Sequence, residues 1–200
     1  MQMQSTTLKI VLSGEKRTGK ASICKRFSEN KFEKHMPPTI GIDFVKKMIQ
    51  YKDNLFRIIL WFGNRCERFA RPTRSHYRNS KGILFVFTPT LSSIEYIKSE
   101  NKSKMQYNEI KNNVKYLIES KSDLCEKREV SKEEAIALSK EYGYKYFECS
   151  ALTGENVHEI IHCIMRDIIE RELLDNDKKL LDNDKKYLTN KNRNKKCIIF

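Results

Sequence analysis

The stretch Gly14-Glu15-Lys16-Arg17-Thr18-Gly19-Lys20-Ala21 constrains the chain more than any other part of it. It follows a strand-like run, Thr7 to Leu12, and opens a helix-like run, Ala21 to Asn30. In the spacing G-x-x-x-x-G-K-[ST] the glycines let successive backbone N–H groups turn inward around phosphate oxygens. The lysine then reaches the outer phosphates and the closing hydroxyl binds Mg²⁺. Here the closing position is Ala21, so one magnesium ligand is replaced while the rest of the pattern stands. A strand, this loop and a helix predict a βα unit that cradles phosphate with Gly14, Lys16, Arg17, Thr18, Gly19, Lys20, Ala21 and Ser22. The plain alternative is a glycine turn between strand and helix.

Further along, Lys31 to Ile42 is irregular, because the Pro37-Pro38 pair denies it a helix. Phe44 to Gln50 and Leu55 to Trp61, joined by the polar turn Lys52-Asp53-Asn54, read as a hairpin. Phe62 to Ser80 is polar and lacks clean periodicity, which predicts a surface loop with room for one irregular helix. Gly82 to Phe87 is continuously apolar, the pattern of a strand covered on both faces. Ser92 to Asn113 is rich in Lys, Asn and Ser and keeps a thin apolar stripe, Ile94, Ile97, Met105 and Ile110, consistent with partial helix. Strands at Val114 to Ile118 and Lys145 to Cys149 flank a helix opened by a capping box, Ser131 with Glu134. Val157 to Leu174 is a strongly amphipathic helix. Alternating strands and helices imply right-handed crossovers and an α/β fold with a mostly parallel, doubly wound sheet.

Two hundred residues suit one domain with its own core, without disulfides or metal. The six cysteines form no C-x-x-C pair, and no apolar run is long enough for a signal peptide or a membrane span, so a reducing, cytosolic-side protein is expected. The net charge of +13 favours anionic surfaces, nucleic acid or acidic lipid alike.

Beyond Glu172 a seven-residue unit repeats without a mismatch, Leu173 to Lys179 and Leu180 to Lys186. Its period allows a helix extension or a short coiled-coil seam, but two heptads are few and a solvated spacer is the favoured reading. The chain closes on Cys197-Ile198-Ile199-Phe200, a C-a-a-X box whose Phe points to geranylgeranylation. The box follows Lys191, Arg193, Lys195 and Lys196, and no acid occurs after Asp184. A lipid chain plus a basic patch supplies the two signals stable anchoring needs.

Several segments together resemble the Rab proteins of the Ras superfamily of small GTPases. Thr39-Ile40-Gly41-Ile42-Asp43-Phe44 is similar to their switch I motif. Trp61, then Glu67-Arg68-Phe69 and His76-Tyr77-Arg78-Asn79-Ser80, sits where Rab proteins carry W-D-T-A-G-Q-E-R-F and Y-Y-R-G-A. Lys121-Ser122-Asp123-Leu124 is similar to the end of N-K-x-D-L, and Cys149-Ser150-Ala151 to T-S-A. The resemblance runs from about Leu8 to Glu170. It implies a single P-loop small-GTPase domain over residues 1–172, with a mostly parallel six-stranded sheet flanked by helices. Residues 173–200 form a variable basic tail with the heptad repeat and the prenylation box.

The resemblance also implies a guanine nucleotide, GTP or GDP, held by the phosphate loop. Asp123 would accept from the guanine edge, the Lys121 stem would lie over the base, and the backbone after Ser150, at Ala151, would donate to the exocyclic oxygen. Phe32, seven residues before Thr39, matches the aromatic that packs on the base. Ser120 stands where an Asn amide ties the base motif to the phosphate loop.

The departures fall on chemistry. Of the three supports for Mg²⁺ only Thr39 remains, since Ala21 and Phe62 occupy the other two places. Ser22 does not substitute, because one residue along a helix turns the side chain by about 100°. Arg65 replaces the glycine that senses the γ-phosphate and Cys66 the glutamine that orients water, so no catalytic residue is intact. Phosphoryl transfer rests on positioning and charge neutralisation, so hydrolysis is expected to be very weak and Mg²⁺ binding weakened or absent. Lys16 and Arg17 would add positive charge where the ion is lost; the alternative is that both project into solvent.

The expected partners are a membrane, through a geranylgeranyl chain on Cys197 and the basic tail, and effectors and regulators at the switch surface. The expected place is the cytoplasmic face of an intracellular membrane, with a cytosolic pool, in vesicle traffic. Nucleic acid is not expected, since no aromatic-basic interleaving supports it. The rival expectation is a nucleotide-free or non-cycling pseudo-GTPase scaffold.

Overall fold

The computed structural model describes residues 6–63, 74–124 and 128–193. The expectations for Arg65, Cys66, Glu67, Arg68 and Phe69 and for Cys197 lie outside them. The strands are β1 (Thr6–Ser13), β2 (Ile42–Tyr51), β3 (Asn54–Gly63), β4 (Gly82–Phe87), β5 (Val114–Ser120) and β6 (Lys145–Cys149). Between and after them run α1 (Lys20–Glu29), α2 (Arg74–Tyr77), α3 (Leu91–Lys104), α4 (Asn108–Lys111), α5 (Lys132–Tyr142) and α6 (Val157–Arg193). The sheet has six strands in the order β2-β3-β1-β4-β5-β6. Its β2–β3 hairpin is antiparallel and the other pairings are parallel. This is the α/β architecture that the alternation of patterns predicts.

Two cores form because successive strand residues face opposite sides. Within β4, Leu84 and Val86 join Leu8, Ile10 and Leu12 against α1 and α6, while Ile83, Phe85 and Phe87 face α3 and α5. A strand covered twice must therefore be apolar throughout, as β4 is. Helix α6 meets the first core with Val157, Ile160, Ile161, Ile164, Met165 and Ile168, the spacing of one helical face.

The polar segment before β5 is more helical than its composition suggests. Besides Ile94 and Ile97, α3 buries Ser93, Glu100 and Asn101. Each is satisfied: Ser93 Oγ accepts from Thr88 N at 3.1 Å, a Glu100 oxygen from Ser13 Oγ at 3.2 Å, and Asn101 Oδ1 from the Tyr144 hydroxyl at 2.6 Å. Thr88 lies in the loop just ahead of α3, but Ser13 and Tyr144 are 87 and 43 residues from their partners, so sequence periodicity could not reveal those two contacts.

The Ser131 capping box forms as expected, with Ser131 Oγ accepting from Glu134 N at 3.1 Å and Glu134 Oε2 from Ser131 N at 2.8 Å. The expected solvated spacer instead has a helical backbone: α6 runs 37 residues, through both heptads to Arg193. Nucleation is the costly step in a helix, and the turns packed on the core have already supplied it, so continuation is cheap.

Candidate functional site

The carboxyl ends of β1, β4, β5 and β6 meet on one edge of the sheet, where open α/β sheets bind ligands. The loop after β1 passes so close to β4 that a Cβ at Gly14 would lie 2.0 Å from the Val86 carbonyl oxygen. At its far end Gly19, with φ +86°, is the N-cap of α1 in a conformation that side chains resist. These two glycines fix where the loop begins and where its N–H groups turn. Thr18, almost fully buried, donates from Oγ1 to Glu15 O at 2.9 Å. The Lys20 ammonium donates to Gly14 O at 2.9 Å and Glu15 O at 2.6 Å and lies 3.4 Å from Thr18 Oγ1. Only 5% of Lys20 is exposed, and burial pushes its pKa down from 10.5 to about 8 against the attraction of Glu15 and Glu100. A cation so placed gains most from a ligand that carries negative charge to it.

Residues more than a hundred positions away brace this loop. Lys121, itself at φ 62°, donates from Nζ to Arg17 O at 2.7 Å, and Arg17 also adopts a left-handed φ of 64°. Ser120 Oγ sits 2.5 Å from Thr18 O and 3.0 Å from Phe87 O, one hydroxyl proton serving either carbonyl. Ser120 lacks the side-chain amide that the resemblance implies as the tie between base motif and loop. The buried hydroxyl keeps that tie, because the backbone of the loop comes close enough for a short side chain. Buried Ser150 donates to exposed Asp123 Oδ1 at 2.5 Å and accepts from Thr153 N at 3.2 Å, so the two predicted base-site residues are brought together. Ala151 packs against the first core.

Arg26, on the last turn of α1, was not singled out by sequence reasoning. Its Nε donates to Ala151 O, its Nη2 to Leu152 O and its Nη1 to Asn30 O, each at 2.8 Å. One guanidinium thus pins the loop after β6 to the helix that follows the phosphate loop. No spacing signals this, since the partners lie 125 and 126 residues apart.

The donor set for a divalent ion is poor among the described residues. Ala21 offers no side-chain oxygen, Ser22 Oγ is 3.6 Å from Met36 Sδ, and Phe62 is 5% exposed within the first core. Thr39 and Phe32 are both half-buried in the irregular segment between α1 and β2. No group of three or more His, Cys, Asp or Glu that could hold a metal occurs among the described residues. Lys16 and Arg17 are both exposed on the rim of the loop.

A separate apolar strip crosses β2 and β3. Ile40, Ile42, Phe44 and Met48 are exposed, Ile40 by 87%. Phe44 stacks on Trp61 at 5.2 Å between centroids, His76 meets Trp61 edge-on, and Lys9 Nζ lies 4.6 Å from the Trp61 ring centre. Exposed contiguous apolar groups of this kind mark contact surfaces.

The profile described as the Ras family matches residues 9–170. Ras-related protein RAB1BV of Beta vulgaris is 37% identical over 175 residues, which cover 86% of this chain and 80% of that protein. Ras-related protein Rab-39A of Mus musculus is 36% identical over 171 residues, 81% and 77% of the two chains. Ras-related protein Rab-13 of Canis lupus familiaris is 34% identical over 162 residues, 80% and 79%.

Proposed function

The chain belongs to the Ras family, and from that premise we propose that it is a Rab-like guanine-nucleotide-binding protein, prenylated and membrane-associated, that acts in intracellular vesicle traffic and hydrolyses GTP very weakly. The observation that carries the reading is the bracing of the phosphate loop by the base-site residues, through Lys121 to Arg17 O and Ser120 to Thr18 O. A phosphate cradle joined to a base-recognition loop is what a nucleotide, with its two chemically different ends, requires. GTP or GDP fits the residues present: backbone N–H groups and Lys20 face the phosphates, Lys121 and Asp123 the base.

A tightly held Mg²⁺ does not fit them, since Ala21 and Phe62 supply no side-chain oxygen and only the Thr39 hydroxyl remains. Without that ion, and with Arg65 and Cys66 in place of the residues that sense and orient at the γ-phosphate, charge neutralisation falls to Lys20, aided by Lys16 and Arg17. Such a site holds a nucleotide better than it cleaves one. The apolar strip from Ile40 to Trp61 would meet effector and regulator proteins. A geranylgeranyl group on Cys197, with roughly 1 kcal/mol from each nearby Lys or Arg at an anionic leaflet, would place the protein on the cytoplasmic face of an intracellular membrane, with a cytosolic pool.

Of the second reading, a nucleotide-free or non-cycling scaffold, the nucleotide-free form is favoured by one observation. The loop carbonyls of Gly14 and Glu15 satisfy Lys20 themselves, so the loop keeps its shape by its own hydrogen bonds. Chromatography of nucleotide released from purified protein, with GDP and GTP-analogue binding measured with and without Mg²⁺ and hydrolysis followed in parallel, separates the two. Bound GDP or GTP whose affinity is little changed by chelating Mg²⁺, with hydrolysis near background, is the expected result. Absence of any nucleotide binding would favour the scaffold.

A further inference from the structure

At the opposite edge of the sheet from the phosphate loop, where β5 and β6 begin, a cavity of about 510 Å³ opens between these strands, the end of α5 and the outer side of α6. Its wall carries a lysine turned inward: Lys115 is 9% exposed, and its ammonium donates to Lys111 O at 3.0 Å and Asn113 O at 3.2 Å, leaving one N–H for a further acceptor. Arg171 of α6 lines the same cavity and repels it, and with burial as the larger cause the Lys115 pKa falls from 10.5 to about 8. Neither cation has an acidic partner within ion-pair distance among the described residues.

Two acids share the lining. Asp167 is taken up by Lys145 Nζ at 2.6 Å and the Tyr116 hydroxyl at 2.7 Å, and Glu170 is exposed. A neighbouring cavity of about 640 Å³ also includes Arg171 and adds Arg78, while its Lys81 is paired with Glu172 at 2.7 Å and Asp175 shares the lining. Two like charges sharing a concave wall destabilise each other, and an anion bridging them reverses the sign of that interaction.

We propose that this cavity is a second anion site, unrelated to the nucleotide site, which binds a phosphate monoester between the Lys115 ammonium and the Arg171 guanidinium. A monoester dianion matches both cations, and its oxygens suit the planar fork of arginine as well as the point charge of lysine. A carboxylate would leave one cation unmatched. The same chemistry is offered by soluble phosphate esters and by lipids with a monoester headgroup.

Glycerol phosphate titrated into the full chain, with the Lys115 and Arg171 side-chain nitrogens followed by NMR, tests the assignment. Both resonances should shift, and Arg171→Glu and Lys115→Met should each weaken binding about tenfold, whereas Lys20→Met should not. Arg171 is exposed, so its variant stays folded even if Lys115→Met, which removes a cap on α4, does not. Equal affinity in wild type and Arg171→Glu, or loss only in Lys20→Met, overturns the proposal. Cosedimentation with phosphatidic acid vesicles, compared with phosphatidylserine vesicles and repeated with Arg171→Glu, then assigns the source. A preference for phosphatidic acid that disappears in the variant assigns a lipid, and binding of glycerol phosphate alone assigns a soluble ester.

Discussion

The buried Lys20 ammonium donates to the Gly14 and Glu15 carbonyls, and its pKa of about 8 has consequences on both sides of the folding and binding equilibria. Between about 8 and 10.5 the unfolded chain holds more protons at this group than the folded one, so from Lys20 alone the free protein gains stability as pH rises through that window. Nucleotide binding has the opposite sign, because phosphate favours the charged lysine. Affinity is expected to be flat below pH 8 and to weaken by up to about tenfold per pH unit above it, with proton uptake visible by calorimetry in buffers of different ionisation enthalpy. Arg26 acts at a distance from the phosphates. Arg26→Ala removes the donors to Ala151 O and Leu152 O, and GDP release, followed with a fluorescent analogue, should quicken by about tenfold, with partial rescue by Arg26→Lys.

Helix α5 shows local sequence and observed structure in agreement: the cap, the reciprocal Glu134 bond and a left-handed Gly143 at its end all fall within one short segment. Ser131→Ala should cost about 1 kcal/mol in chemical denaturation, with no effect on the nucleotide site. Helix α6 behaves differently along its length. Its core residues end at Ile168, Leu173 and Leu174 are 58% and 60% exposed, and the backbone nonetheless stays helical to Arg193, a helix of about 55 Å. Removing residues 176–200 should therefore leave the melting temperature within about 2 °C of the full chain, measured by circular dichroism. The boundary expected at residue 172 is not marked by any break in this helix, so body and tail would be joined stiffly.

The proposed nucleotide site and the proposed anion site lie at two ends of one sheet, the first at the carboxyl ends of the strands and the second where β5 and β6 begin. If the basic tail and Cys197 anchor the chain, Cys197→Ser should abolish the salt-resistant part of membrane association in a cell fractionation and leave only binding that high salt removes. The α/β class was legible in the residues alone, and so was the glycine-lysine spacing that predicts a phosphate loop with Ala21 and Phe62 at two places where the resemblance implies oxygen ligands, because each is a matter of residue type at fixed local spacing. The sequence also foretold β4 as a strand buried on both faces, since six apolar residues in a row admit little else. Folding in three dimensions was needed to reveal that Ser120 holds Thr18, that Arg26 clamps Ala151 and Leu152, and that Lys115 and Arg171 share a cavity. Those contacts join residues from 56 to 126 positions apart, or depend on how closely two backbones approach, and neither quantity is written in local periodicity.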